Sequence, residues 1–321
     1  MYSYGVLGRH LLSDIPLALP PWDGMQRPVF RLVAGEAVNA PVQCGESRSE
    51  YRFGDIACEE NSDAGILTVT IGSRLCFTID AAGTITSCCR PAVPEQLLLR
   101  ALIGVVFPIY SSRNSVLTFH GSAICTPDLQ HGIMLLGNKG AGKSTAAAWL
   151  TGCGYRLLGD DMVPAAVADG SIRLLPGVAM AQLTPSAFLQ LCGEDANLPG
   201  AVAAGDKVHW MAEPCHESVP ASLVIILSTE PDLDRPALNR VRGMQKVGFL
   251  TSHLSMLPGI DLPAHQFAAL AGNLAALPMW SITRGSGESS PEPVIEQILR
   301  VLSDYPAGAP MGSEILSEKK W

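Results

Sequence analysis

The sequence predicts an α/β fold in which a glycine-rich loop joins a strand to a helix, preceded by a small β-rich N-terminal region. The loop is Gly137-Asn138-Lys139-Gly140-Ala141-Gly142-Lys143-Ser144, the full pattern of glycine, four residues, glycine, lysine, serine. It follows the apolar run Gly132-Ile133-Met134-Leu135-Leu136 and precedes the alanine-rich Thr145-Ala146-Ala147-Ala148-Trp149-Leu150, so strand, loop and helix come in the order the motif needs. Residues 1 to about 90 instead carry short runs of alternating apolar and polar side chains between turn residues, the pattern of antiparallel strands joined by tight turns.

Along the chain, the N-terminal strands are clearest in Ile66-Leu67-Thr68-Val69-Thr70-Ile71 and Leu75-Cys76-Phe77-Thr78-Ile79. Pro91 and Pro94 bracket a change of period, and residues 95–106 are continuous enough for a helix. The most apolar stretch, residues 97–110, is interrupted by Arg100 and Pro108 and falls short of the roughly 20 residues that cross a bilayer, so it reads as buried helix. Two strands, from Val116 to Ile124 and from Gly132 to Gly137, flank the turn-forming Thr126-Pro127-Asp128 as a hairpin. If Cys125 and Gly132 close it, counting back along both arms sets His120 opposite Gly137. Gly152-Cys153-Gly154 ends the helix after the loop, and Tyr155-Arg156-Leu157-Leu158-Gly159 supplies another strand. Leu223-Val224-Ile225-Ile226-Leu227 is a buried strand, and residues 261–277 read as helix. The expected division is a β-rich region with a helix leading out of it (1–110), a core carrying the loop (111–305) and a disordered tail (306–321).

With 321 residues, 47% hydrophobic and 16% charged, the chain can bury at least one substantial core. Its net charge of -8, from 22 basic and 30 acidic residues, supplies no basic face for a nucleic-acid partner. Met1-Tyr2-Ser3-Tyr4 lacks the basic start and apolar run of an export signal, which predicts a cytoplasmic protein with no membrane partner. The nine cysteines show no CxxC spacing, so neither a zinc cage nor a disulfide framework fits. His209, Cys215 and His216 lie close together, but no second cluster supplies further ligands, and they read as structural side chains. A homo-oligomer is compatible with the sequence.

The loop has the chemistry of a triphosphate site. Its glycines let successive N–H groups face phosphates, Lys143 can neutralise the β and γ phosphates, Ser144 can ligate Mg²⁺, and the helix start adds partial positive charge. Gly137 through Ser144, with Thr145, are the expected nucleotide contacts, and ATP with Mg²⁺ the expected ligands. Asp160-Asp161 follows the next strand, at the kind of strand end where α/β proteins place ligand contacts. Adjacent strand residues point to opposite faces, so both carboxylates reach one ligand only if the chain turns there. Two divisions of labour fit. One carboxylate holds Mg²⁺ while the other accepts a proton from an attacking hydroxyl, or a single Mg²⁺-binding aspartate is followed by a solvated neighbour. A histidine at a strand end is often only structural; the hairpin count gives His120 a phosphate contact as an alternative.

Phe119-His120-Gly121-Ser122-Ala123, the loop, and Gly154-Tyr155-Arg156-Leu157-Leu158-Gly159-Asp160-Asp161 together resemble the catalytic core of the HPr kinase/phosphorylase family. The resemblance is specific over residues 115–165. It implies an α/β fold related to phosphoenolpyruvate carboxykinases, with the loop on a mixed sheet, and a reaction in which ATP phosphorylates a serine hydroxyl. Carried over by position, it implies that Asp160 is the general base, that Asp161 and Ser144 ligate Mg²⁺, and that His120 and Lys143 join the catalytic set. The chain departs from HPr kinases after Val163 and lacks their second, acidic signature segment. The N-terminal third is similar to that of HPr-kinase-related proteins of peptide modification, including kinases of lasso-peptide precursors. Asp206-Lys207-Val208 is similar to a lysine-bearing segment of these relatives, which makes Lys207 either a further phosphate contact or a solvated surface lysine. The leading expectation is therefore an ATP-dependent serine kinase whose partner is a peptide or small protein. The alternatives are an HPr-type metabolic regulator and a non-kinase, nucleotide-dependent binding protein.

Overall fold

The computed structural model describes residues 1–6, 9–22, 30–34, 48–53, 55–61, 65–88, 93–113, 116–168, 170–192, 201–204, 206–213, 215–231, 233–255, 264–286 and 290–303. It is a mixed α/β structure with several sheets and a β-rich N-terminal region, dividing into two compact units. The tail expected beyond residue 305, and residues 261–263 of an expected helix, lie outside the described residues.

The first unit comprises Met1–Leu117 with Ser255–Ala264. Its strands are β1 (Tyr2–Val6), β2 (Arg9–Ser13), β3 (Phe30–Ala34), β4 (Arg48–Phe53), β5 (Ile56–Asn61), β6 (Ile66–Ile71), β7 (Leu75–Ile79) and β8 (Thr84–Ser87), in the sheet order β1-β2-β3-β8-β7-β6-β5-β4. Alternation does the folding: in β7, Leu75, Phe77 and Ile79 are buried while Cys76 and Thr78 are half-buried on the other face. The meander from β4 to β8 is antiparallel, as the turn residues predict, but β3 runs parallel to both β2 and β8. Parallel neighbours are joined by long connections rather than by one tight turn, so local pattern could not reveal those pairings.

The helix expected over residues 95–106 runs further. α1 (Glu95–Ala101) passes through a π-helical turn, Leu102–Val106, into α2 (Phe107–Arg113). Pro108 lacks an N–H, and its ring would crowd the carbonyl four residues back. The wider turn, closed by the Phe107 N–H on the Leu102 oxygen, makes room for it and lets the helix continue.

The second unit comprises Thr118–Leu254 with His265–Trp321. Its main sheet contains β9 (Leu117–Cys125), β10 (Gly132–Gly137), β11 (Arg156–Gly159), β12 (Met162–Ala168) and β13 (Ser171–Leu174). A second, three-stranded sheet holds β14 (Met180–Leu183), β15 (Ala201–Ala204) and β16 (Lys207–Met211), with β16 in the middle. The main sheet is completed by β17 (Val219–Glu230), β18 (Ala237–Arg240) and β19 (Met279–Gly285). β9 and β10 form the expected hairpin, with Cys125 opposite Gly132 and Gly121 opposite Leu136. β10 is parallel to β17 and β17 to β19, so the sheet is mixed. The helices are α3 (Lys143–Gly152), α4 (Pro185–Cys192), α5 (Met244–His253), α6 (Ala264–Ala276) and α7 (Glu292–Leu302). α7 buries Val294, Ile295, Ile298, Val301 and Leu302, one stripe of a 3.6-residue period, in a core with Trp149 and Leu150 of α3 and Leu135, Ile225 and Ile282 of the sheet. No described helix is long and apolar enough to cross a membrane.

Candidate functional site

β10 ends at Gly137 and α3 begins at Lys143, so the glycine-rich loop stands at the carboxyl ends of the parallel strands β10, β17 and β19. Open α/β sheets place their ligands at that edge. Gly140 and Gly142 have φ of +85° and +96°, conformations that glycine adopts readily and that let the loop curl back into α3. No side chain caps the start of α3. Its first N–H groups therefore face the loop with partial positive charge. Asn138, Lys139 and Gly140 are exposed at the tip, Ala141 is buried, and Ser144 and Thr145 are half-buried on the first helical turn.

Lys143 is only 8% exposed, and its Nζ donates to the carbonyl oxygens of Gly137 at 2.8 Å and Asn138 at 3.2 Å. Burial lowers its pKa; Asp160 and Asp161 oppose the shift, and Lys207 adds to it. Lys207, the first residue of β16, thus lies within electrostatic reach of Lys143. A third cation was missed in the sequence. Arg284, near the carboxyl end of β19, donates from Nη2 to the Gly140 oxygen at 3.3 Å and from Nη1 to that of Gly285 at 3.4 Å. The signal available was a basic residue closing a strand-like run, Met279 to Gly285, once that run is placed parallel to the strands feeding the loop.

The chain turns at the acidic pair: Asp161 has φ of +68°, in the left-handed region rarely used by side chains other than glycine. The turn sends the two carboxylates into different surroundings. Asp160 is 3% exposed; its Oδ1 accepts from the Ser122 hydroxyl at 2.5 Å, its Oδ2 accepts from the Gln182 N–H at 2.9 Å, and the Ser144 hydroxyl bonds to it as well. Burial raises the Asp160 pKa, against the pull of those three hydrogen bonds. Asp161 is open instead, with Oδ1 3.4 Å from His120 Nδ1 and side-chain exposures of 37% and 43% for the two residues. Its backbone oxygen accepts from the Gly121 N–H at 3.1 Å, which fixes it beside β9.

The hairpin register ends at the Gly121–Leu136 pair, and His120 and Gly137 are the next residues on the two adjacent arms. Burial lowers the His120 pKa, with Asp161 opposing and Lys143 reinforcing the shift. A second histidine lies alongside. The bridge between Phe119 and Leu254 runs the end of α5 antiparallel to β9. There His253 is buried, its Nδ1 donates to the Phe249 oxygen at 2.7 Å, and its Nε2 has no hydrogen-bond partner. Nothing local in the sequence marks it.

The structure therefore gathers His120, the loop, Lys143, Ser144, Asp160 and Asp161, with Lys207 nearby. It is Asp160, rather than Asp161, that reaches Ser144. The Ser144 hydroxyl and a buried carboxylate are hard oxygen donors that fit Mg²⁺, an ion usually held by one or two protein groups together with waters and phosphate oxygens. Among the described residues, no group of three or more His, Cys, Asp and Glu could hold a metal ion.

No family model matches the chain. No curated protein matches it. Among solved structures it is similar to the Hpr(Ser) kinase/phosphatase from Coxiella burnetii, with a TM-score of 0.29 and 12% identity over 59% of this chain and 96% of that one.

Proposed function

We propose that the chain is a kinase that transfers the γ-phosphoryl group of ATP, bound with Mg²⁺, to a serine hydroxyl of a peptide or small protein. The observation that carries this reading is the split acidic pair: one carboxylate buried against Ser144, the other open beside His120. A protein that only binds nucleotide has use for the first. The second suits a phosphotransferase, because a serine hydroxyl attacks poorly unless a base takes its proton.

In this reading Lys143 and Arg284 exchange the loop carbonyls they now contact for phosphate oxygens, and the first N–H groups of α3 take a share of the negative charge. Ser144 and Asp160 hold Mg²⁺, which when bound neutralises charge on the β and γ phosphates. Asp161 takes the proton from the serine hydroxyl as its oxygen bonds to the γ phosphorus. The bond from that phosphorus to the β–γ bridging oxygen breaks, and ADP leaves with the electron pair. His120 holds the Asp161 carboxylate in place from 3.4 Å. This division exchanges the roles that the family resemblance implies for the two aspartates. The substrate we propose is a ribosomally made precursor peptide of the lasso type, on the similarity of the N-terminal third to peptide-modification relatives.

The test is phosphate incorporation from radiolabelled ATP into serine peptides, with Mg·ATP affinity measured in parallel by calorimetry. Asp161→Asn should lower transfer by about 10²–10⁴-fold at near-parental affinity, whereas Asp160→Asn should weaken Mg²⁺-dependent binding. Exchanged phenotypes would return the base to Asp160. Intact ATP binding with no transfer to any hydroxyl peptide would favour a nucleotide-dependent binding protein.

A further inference from the structure

α5 ends at His253, and the antiparallel bridge between Phe119 and Leu254 ties that end to β9, so His120 and His253 are the next residues on the two bridged segments. His253 is only 8% exposed. Its Nδ1 lies 2.7 Å from the Phe249 oxygen and 3.0 Å from the Ser252 hydroxyl oxygen, whose own proton goes to the same carbonyl at 2.9 Å. A carbonyl only accepts, so Nδ1 carries the proton, and in the neutral ring Nε2 is left with a lone pair. That nitrogen is buried and has no hydrogen-bond partner. Buried polar atoms are nearly always bonded, and an exception beside a functional histidine asks for the donor that fills it. His120 can be that donor. Its Nδ1 is turned to Asp161 at 3.4 Å, and once the ring is charged its other nitrogen carries a second N–H that needs an acceptor.

We propose that His253 is a positioning residue for phosphoryl transfer: its Nε2 accepts the Nε2–H of charged His120, which directs Nδ1–H to the Asp161 carboxylate and fixes it for the serine hydroxyl. The inference rests on the reading of Asp161 as the base. It supplies what the surroundings of His120 otherwise withhold. Burial lowers the His120 pKa, Lys143 of α3 lowers it further, and Asp161 and Asp160 oppose the shift; a charge on His253 would add to the lowering, so His253 serves His120 as a neutral acceptor. An acceptor favours the charged ring, so removing it moves the His120 titration to lower pH. The kcat profile falls as pH rises through that titration and should move with it.

The full-length protein, free of nucleotide, is labelled with nitrogen-15 in its histidines, and the His120 ring is titrated by NMR in the parent, His253→Phe and His253→Gln. Phenylalanine fills the space without an acceptor, whereas glutamine returns an oxygen near the place of Nε2. His253→Phe should lower the His120 midpoint by about one pH unit, a roughly tenfold loss of proton affinity, and His253→Gln should restore most of it. The alkaline fall of kcat for serine phosphorylation should shift in parallel, with KM for Mg·ATP unchanged. An unmoved midpoint would make His253 a structural residue of α5, and an upward move would make it a like-charge neighbour; either overturns the proposal. Should His253→Phe fail to fold, nitrogen–nitrogen coupling across the Nε2–H···Nε2 bond of the acidified parent decides, and its absence overturns the proposal. The titration needs no turnover, so a shifted His120 in a protein that phosphorylates no hydroxyl would refute the kinase reading and leave the histidine pair standing.

Discussion

Lys143 carries its charge into a buried position where two carbonyl oxygens hold it, and a bound triphosphate would replace those neutral acceptors with charged ones. Hydrogen bonds to charged groups are worth about 1.5–3 kcal/mol, so Lys143→Ala should weaken ATP binding by roughly 10–150-fold in calorimetry while leaving the circular dichroism spectrum unchanged. Asp160 makes a prediction of the opposite sense. Its pKa is raised in the folded protein, so the stability it contributes is present below the unfolded-state pKa and is lost as pH rises through the folded value. At pH 7, well above the unfolded-state pKa, that contribution is diminished in the nucleotide-free protein. Asp160→Asn should therefore raise Tm at pH 7, and the gain should shrink towards about pH 4, where the parent carboxyl is protonated. A variant with parental or lower Tm at pH 7 would show that its hydrogen bonds outweigh burial. The strand–loop–helix passage around Lys143 was legible because those residues are consecutive. Which aspartate faces Ser144 was not, since a left-handed turn at Asp161 decides it, and the sequence shows only that some turn is needed.

At the scale of elements, the hairpin of β9 and β10 is held to close tolerance. A Cβ added at Gly121 would lie 2.6 Å from the Leu135 backbone oxygen and 2.7 Å from Leu136 Cδ2. Backbone cannot yield as a flexible side chain does, so Gly121→Ala should force β9 from β10, cost about 1–3 kcal/mol in denaturant unfolding, and disturb His120 beside it. α7 offers a control remote from the loop: Ile298→Ala, at a fully buried position, should cost about 2–5 kcal/mol without changing ATP affinity per folded molecule. The register of β9 against β10 could be counted from the sequence because one turn closes it. The parallel neighbours of β3 and the helix running past Pro108 could not, because the first depend on long connections and the second on a π turn that has no composition of its own.

Over the whole molecule, ligand binding and stability are linked. If the second unit binds Mg·ATP, saturation at a hundred times Kd should stabilise it by about 2.7 kcal/mol, seen as an upward shift of its transition in scanning calorimetry that Lys143→Ala reduces at the same ATP concentration. The cations that would meet the nucleotide come from α3, β16 and β19, which is why Arg284 escaped a reading along the chain. β17 has the widest reach of any strand in that unit. Its first residues pair antiparallel with β13, and it then runs parallel to β10 from Ala221 and to β19 from Val224, placing Ile225 beside Leu135. Such pairing joins segments remote in the chain, and topologies of high contact order fold slowly because loop closure precedes any gain from contact. The edge that carries the glycine-rich loop is therefore finished late, and a refolding chain should regain nucleotide binding only in its slowest phase, after most of its helical signal has returned.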